Sequence, residues 1–322
     1  MTNYIQNLIS LIDKDLKELD LDHQPPELYQ PIRYILSLGG KRLRPLLVLL
    51  SYKVFKDNPV NVVRVASLVE IFHNFTLMHD DIMDEAPLRR GKPTVHEKWN
   101  TNIGILSGDI MMVKAYEVLE QVPQEVLLHC LTTFNRCAGE VCEGQQVDMN
   151  FESRDKVSAS EYLEMIRQKT AVLLGFSMEL GAILAKASPQ QQALVRQFGV
   201  NIGMGFQLKD DLLDVYGDQN KFGKQVGGDI IANKKTYLLI KALEQAPDNA
   251  LQLWLNKKDF DKQEKVQAVT AIYDSLDIRT QTEDIIKQYF GTAYQALDQL
   301  QGDPQGVSEL RLYADYLTNR DR

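Results

Sequence analysis

The chain has 322 residues, 44% of them hydrophobic, enough to bury one large core or two smaller ones. Its formal net charge of −8 argues against a nucleic-acid binder and suits a small anionic ligand met by local cationic spots. No apolar run approaches the roughly 18 residues of a membrane span. Met1 to Leu21 lacks a secretion signal, and Cys130, Cys137 and Cys142 form no CxxC pair, so a cytoplasmic protein with buried free thiols and no stable membrane insertion is expected.

Ile5, Leu8, Ile9, Ile12, Leu16 and Leu19 recur at helical spacing among charged residues, which predicts an amphipathic packing helix ended by Pro25 and Pro26. From Leu36 to Phe55, a Gly39–Gly40 turn and a basic cluster of Lys41, Arg42 and Arg44 lead through Pro45 into a strongly apolar helix. Glycine lets the backbone turn sharply there, and a cation on such a turn can reach a phosphate.

Val60 to Met83 predicts a long helix that runs into LMHDDIMDEAPLRRG, Leu77 to Gly91. Asp80 and Asp84 project from one helical face about 40° out of line, whereas Asp81 stands about 100° round, as a bridging or supporting carboxylate does. Three anions in the last turn oppose the helix dipole and repel one another, so a bound cation is expected. Phe72, Phe75 and Thr76 make a patch just below the carboxylates, and His73 lies two turns before Asp80 on nearly the same face. Pro87 stops the helix, and Arg89 and Arg90 follow where both guanidiniums can bind phosphate in bidentate fashion.

Gly104 to Glu120, Gln124 to Asn150 and Ser160 to Ala187 are again helical in pattern. Gln145 and Asp148 share a face of the second. Lys169 and Thr170 interrupt an apolar stretch of the third, where a lysine needs a phosphate or an aspartate cluster as partner. Pro189 starts a helix ending at Asp214, in which Gly199, Gly203 and Gly205 indicate close packing. Its last turns repeat the DDxxD spacing: Gln207, Asp210, Asp211 and Asp214 fall at i, i+3, i+4 and i+7 as one polar stripe. The loop that follows holds Gly217, Gly223, Gly227 and Gly228 with Lys224, Lys234 and Lys235, and is read as a cationic cover for phosphates. Tyr237 to Leu300 and Val307 to Leu317 complete a helical pattern. With no alternating strand-like run longer than a few residues, the expected fold is all-α. Two carboxylate clusters suit hard divalent ions, and Mg²⁺ in particular keeps waters and takes further ligands from phosphates, which points to a diphosphate substrate.

The strings GGKRLRP, HDDIMDEAPLRRGKPTVH, GQQVD, KT, FQLKDDLLD and GKQVGGDIIANKKT occur in this order. With them the chain resembles the short-chain trans-type polyprenyl diphosphate synthases over essentially its whole length. The resemblance implies a single large helical bundle domain over 1–322 with a central active-site cavity, and a prenyltransferase that condenses isopentenyl diphosphate with allylic diphosphates, through ionisation, 1'-4 condensation and elimination. It implies three Mg²⁺ ions held by Asp80, Asp81 and Asp84 on one wall and by Asp210, Asp211 and Asp214 on the other. Lys41, Arg44, His73 and Arg90 would grip isopentenyl diphosphate, Arg89, Lys169, Lys224 and Lys234 the allylic diphosphate, and Thr170 and Gln207 would line the reacting carbons. Phe72, Phe75 and Thr76 would set chain length: a bulky residue five before Asp80 and a small one four before resemble the archaeal geranylgeranyl pattern, while the bulk of Phe72 leaves a farnesyl product open. A homodimer is implied as well. Two other readings are a class I terpene cyclase, whose second motif is usually of NDxxSxxxE type where this chain has DDLLD, and a non-catalytic regulatory subunit, in which the aspartates or lysines present here should be eroded.

Overall fold

Ile5, Leu8, Ile12 and Leu16 fall on the buried face of α1 (Asn3–Lys17), and the Thr2 hydroxyl caps it by accepting from the Ile5 N–H. The computed structural model of the chain describes residues 2–217, 227–246 and 249–319. α2 (Pro26–Ser37) begins on Pro26, so the proline pair opens the second helix rather than ending the first, which already stops at Lys17. α3 (Leu43–Phe55) is buried along most of its length, and a 3₁₀ turn at Pro59–Val62 leads into α4 (Val63–Met83). A two-residue antiparallel hairpin, β1 (Leu88–Arg89) and β2 (Lys92–Pro93), pairs Arg89 with Lys92. Arg90 and Gly91 at its tip both have positive φ, as a tight hairpin of right-handed twist requires.

Beyond it come α5 (Val95–Lys98), α6 (Thr101–Leu119) and α7 (Gln124–Ser153), then α8 (Ala159–Ile166) with a capping box between Ser158 and Glu161. A π turn at Arg167–Ala171 joins α8 to α9 (Val172–Leu184), which α10 (Pro189–Tyr216) follows. Among the described residues the remaining helices are α11 (Gly228–Ile231), α12 (Tyr237–Gln245), α13 (Ala250–Asn256), α14 (Lys262–Ser275), α15 (Ile278–Asp298) and α16 (Pro304–Thr318). The fold is all-α apart from the hairpin. The helical pattern over Tyr237 to Leu300 is borne out as four helices, α12 to α15. The Asp261 side chain caps α14 by accepting from the Glu264 N–H, and Asp277 takes a left-handed φ of 55° that ends α14 and starts α15. Of the three thiols, Cys130 and Cys137 are buried as expected, but Cys142 is exposed.

Contacts divide the chain into two compact units, one of Met1–Phe134, Ser177–Ala193 and Gln301–Leu310, the other of Asn135–Phe176, Leu194–Leu300 and Arg311–Arg322. In the first unit α6 lies against α4 because it carries glycine where the helices meet. A Cβ on Gly104 would stand 2.8 Å from Ile82 Cδ1, and one on Gly108 2.2 Å from His79 Nε2. In the second unit Tyr162, Ile166, Leu208, Leu238 and Tyr273 share a core. There a Cβ on Gly203 would stand 2.7 Å from Ala171 Cα, and one on Gly144 would stand 2.4 Å from Lys169 N, so α10 and α7 both close on the π turn.

Candidate active site

In the first unit Asp80, half-buried, and Asp84, exposed, close α4 one turn apart, and Asp84 caps the helix through its N–H to Asp80 O. Asp81 is buried, and both its carboxylate oxygens accept from Arg89, Nε to Oδ2 and Nη2 to Oδ1, each at 2.7 Å. The chain reverses directly after the helix to allow this: Ala86 N–H donates to Asp81 O, and the Thr94 hydroxyl to Ala86 O. Arg90 lies against the glycine turn, where a Cβ on Gly40 would meet its Nη2 at 3.1 Å. Gly39 and Gly40, at φ +77° and +150°, give the backbone path that α3 needs. Burial first, then the guanidiniums of Arg44, Arg90, Arg89 and Arg42, hold the His73 pKa well below its usual 6.5. The imidazole is therefore neutral in a cationic recess, and Lys41 is exposed on the same turn.

Arg42 departs from the expected basic cluster. Its side chain turns inward, donating to Asp13 and to buried Glu70 at 2.7 Å each and to Leu36 O at 3.2 Å. Burial works against its charge, but Glu70 and Asp13 more than offset this and raise its pKa. Its role is to pin the turn that carries Lys41 and Arg44. Phe72 is fully buried, edge-on to Phe134 at 5.3 Å, whereas Phe75 is half-buried and meets the His79 ring at 4.8 Å. The Thr76 hydroxyl donates to His73 O.

In the second unit a chain of hydrogen bonds links the π turn to α10. The Thr170 hydroxyl donates to Gln207 Oε1 at 3.3 Å, and Gln207 Nε2 to Asp211 Oδ1 at 3.0 Å; the Tyr162 hydroxyl takes the other Asp211 oxygen in a short bond. Asp211 is buried, which lifts its pKa to about 7. Asp210 and Asp214 are half-buried. Asp214 Oδ2 accepts from the Asp229 N–H at 2.9 Å and so holds the start of α11. Lys169 Nζ meets Asp148 Oδ2 at 2.6 Å, so its protein partner is Asp148 rather than an aspartate motif. Lys235 caps the end of α7, donating to Phe151 O at 2.5 Å, while Lys234 is exposed. Lys224 lies outside the described residues.

Among the described residues no three acidic, histidine or cysteine side chains form a group able to hold a metal ion by themselves. The donors present, carboxylate pairs at two helix ends beside lysines and arginines, fit Mg²⁺, which leaves most of its shell to water and phosphate. A model of the family described as polyprenyl synthetase matches residues 25–274. The chain belongs to the polyprenyl synthetase family, a family of prenyltransferases. It is 36% identical to the geranylgeranyl diphosphate synthase of Methanosarcina mazei over 323 aligned residues, covering 100% of this chain and 98% of that protein. A crystal structure of a geranylgeranyl pyrophosphate synthase shares 42% identity and superposes with a TM-score of 0.93 over 99% of both chains. Another, the Corynebacterium glutamicum enzyme complexed with isoprenyl diphosphate and magnesium, shares 28% identity with a TM-score of 0.85 over 98% of each chain.

Sequence reasoning missed Tyr162, Asp13 and Glu70. Tyr162 sits at an apolar position of α8 and carried no signal. Glu70, alone in the apolar run VASLVEIF, did carry one: a carboxylate on a buried helix face needs a cation, and Arg42 supplies it.

Proposed function

We propose that this polyprenyl synthetase condenses isopentenyl diphosphate with allylic diphosphates and stops mainly at geranylgeranyl diphosphate. The observation that carries the reading is the full-length likeness to geranylgeranyl diphosphate synthases, joined to cationic and carboxylate groups built around both aspartate motifs. The family model takes in residues of both compact units, which supports one polyprenyl synthase domain over 1–322. Lys41, Arg44, His73 and Arg90 bind the diphosphate of isopentenyl diphosphate, and Arg89, Lys169, Lys224 and Lys234 that of the allylic substrate. Asp80, Asp84, Asp210 and Asp214 hold the metal, three Mg²⁺ ions by the resemblance, with Asp81 and Asp211 supporting them through Arg89 and through Tyr162 and Gln207. Bound there, Mg²⁺ supplies countercharge to the leaving diphosphate.

The protein's own part is to orient both substrates and to stabilise charge as the allylic C–O bond breaks. The allylic carbon then bonds to C4 of isopentenyl diphosphate, and the proton released from C2 passes to the departing pyrophosphate. No protein base is needed. The amide of Gln207 and the hydroxyl of Thr170 line the reacting carbons.

We further propose a homodimer acting in the cytoplasm. α6 exposes Ile105, Leu106, Val113 and Tyr116, an apolar face that a second copy could cover, and three cysteines without a disulfide suit a reducing compartment. Incubating the protein with Mg²⁺, isopentenyl diphosphate and each allylic starter, followed by chromatography, tests the activity. A C20 diphosphate is expected; a cyclised product or no turnover overturns the proposal, and a C15 end product overturns the chain length.

A further inference from the structure

A buried lysine with no counter-ion among the described residues stands in α14. Lys265 is fully buried, burial lowers its pKa, and no ion pair to it occurs among the described residues. Such a group is costly unless its donors are all used. Its Nζ donates to Asn233 Oδ1 at 2.6 Å and to Ile231 O at 3.3 Å, and lies 4.2 Å from the centre of the Phe260 ring. Asn233 is itself held in the left-handed region, φ 54°, and its Nδ2 donates to Leu255 O at 3.1 Å, so both ends of the amide are fixed. The next residue is Lys234. Its N–H donates to Asp229 O and its carbonyl accepts from the Thr236 N–H. Its charge acts on Asp211.

We propose that Lys265, through Asn233, is a positioning residue that sets the backbone of Lys234 for binding the allylic diphosphate. The segment is anchored at its start by Asp214, which accepts from the Asp229 N–H, and at its end by Lys265, so one short turn is braced at both ends. A lysine reaches its hydrogen-bond partners from a flexible stem, and here the aromatic ring of Phe260 and the amide of Asn233 confine it. The inference rests on the proposed role of Lys234.

The test measures melting temperature and the KM values of both substrates for the full-length Lys265→Met, Lys234→Ala and double variants. Lys265→Met is expected to raise the KM for the allylic diphosphate roughly tenfold, the scale seen when an orienting partner is lost. The KM for isopentenyl diphosphate should stay as it is. In the Lys234→Ala background the same change should add nothing. If Lys265→Met does not fold, Asn233→Gly keeps the positive φ without the side chain and should give the same split. A lower melting temperature with both KM values unchanged overturns the brace, as does a penalty that adds to that of Lys234→Ala. An unchanged allylic KM in Lys234→Ala overturns the assigned role of Lys234 and the brace with it.

Discussion

Arg89 and Asp81 meet in a two-bond fork at the end of α4, with both N···O distances 2.7 Å and the carboxylate buried. A bidentate pair fixes the plane of the guanidinium as well as its place. On the proposed assignment Asp81 would serve the site through Arg89, whereas half-buried Asp80 and exposed Asp84 would take the cation. Asp81→Asn should lower kcat about tenfold, near 1.4 kcal/mol, and leave the Mg²⁺ concentration for half-maximal turnover where it was. Asp80→Asn should raise that concentration. Titrating turnover against Mg²⁺ separates the two roles; equal rises would make Asp81 a ligand of the same kind.

Arg42 and Glu70 form a buried pair, each side chain 4% exposed. Removing one partner leaves an uncompensated charge, so Arg42→Met should cost about 3–5 kcal/mol of unfolding free energy. Replacing Glu70 by Met as well should recover most of it. Denaturant unfolding of the single and double variants reads the difference, and an additive double variant would show that the pair is not coupled.

Most helices were legible because their signals are local. The Asp80/Asp84 pair, the Gly39–Gly40 turn and the polar stripe of α10 follow from spacing alone. What was not legible depends on partners distant in the chain. Lys169 announced that it needed a partner, but Asp148 is 21 residues away, and only the approach of α7 at Gly144 selects it. Tyr162 meets Asp211 across 49 residues. The helical pattern from Tyr237 onward did not fix where one helix ends and the next begins: the Asp261 side chain caps the start of α14, and the left-handed Asp277 separates α14 from α15.

His73 should make the protein acid-sensitive. Its folded pKa lies well below the 6.5 of the free side chain, lowered by burial and then by the arginines around it. The unfolded chain thus binds a proton that the folded one refuses, and stability falls as pH drops from about 6.5 toward the depressed value. Above that window the residue contributes no slope. His73→Gln should lose less melting temperature than the parent between pH 7.5 and pH 5, by thermal melts in matched buffers. Equal losses would place the acid sensitivity elsewhere.

Phe75 and Phe72, one turn apart, should answer differently to truncation. Phe72 is fully buried against Phe134, so Phe72→Ala should cost about 3–5 kcal/mol through the cavity it leaves. Phe75 is only half-buried, and its ring contact with His79 lies just before the aspartates, where a growing prenyl chain would be stopped. Phe75→Ala should therefore cost little stability and lengthen the product beyond C20. Chromatography of the products from both variants checks this. An unchanged product length in Phe75→Ala would remove that ring as the floor, and a longer product in a well-folded Phe72→Ala would move the floor one turn down the helix.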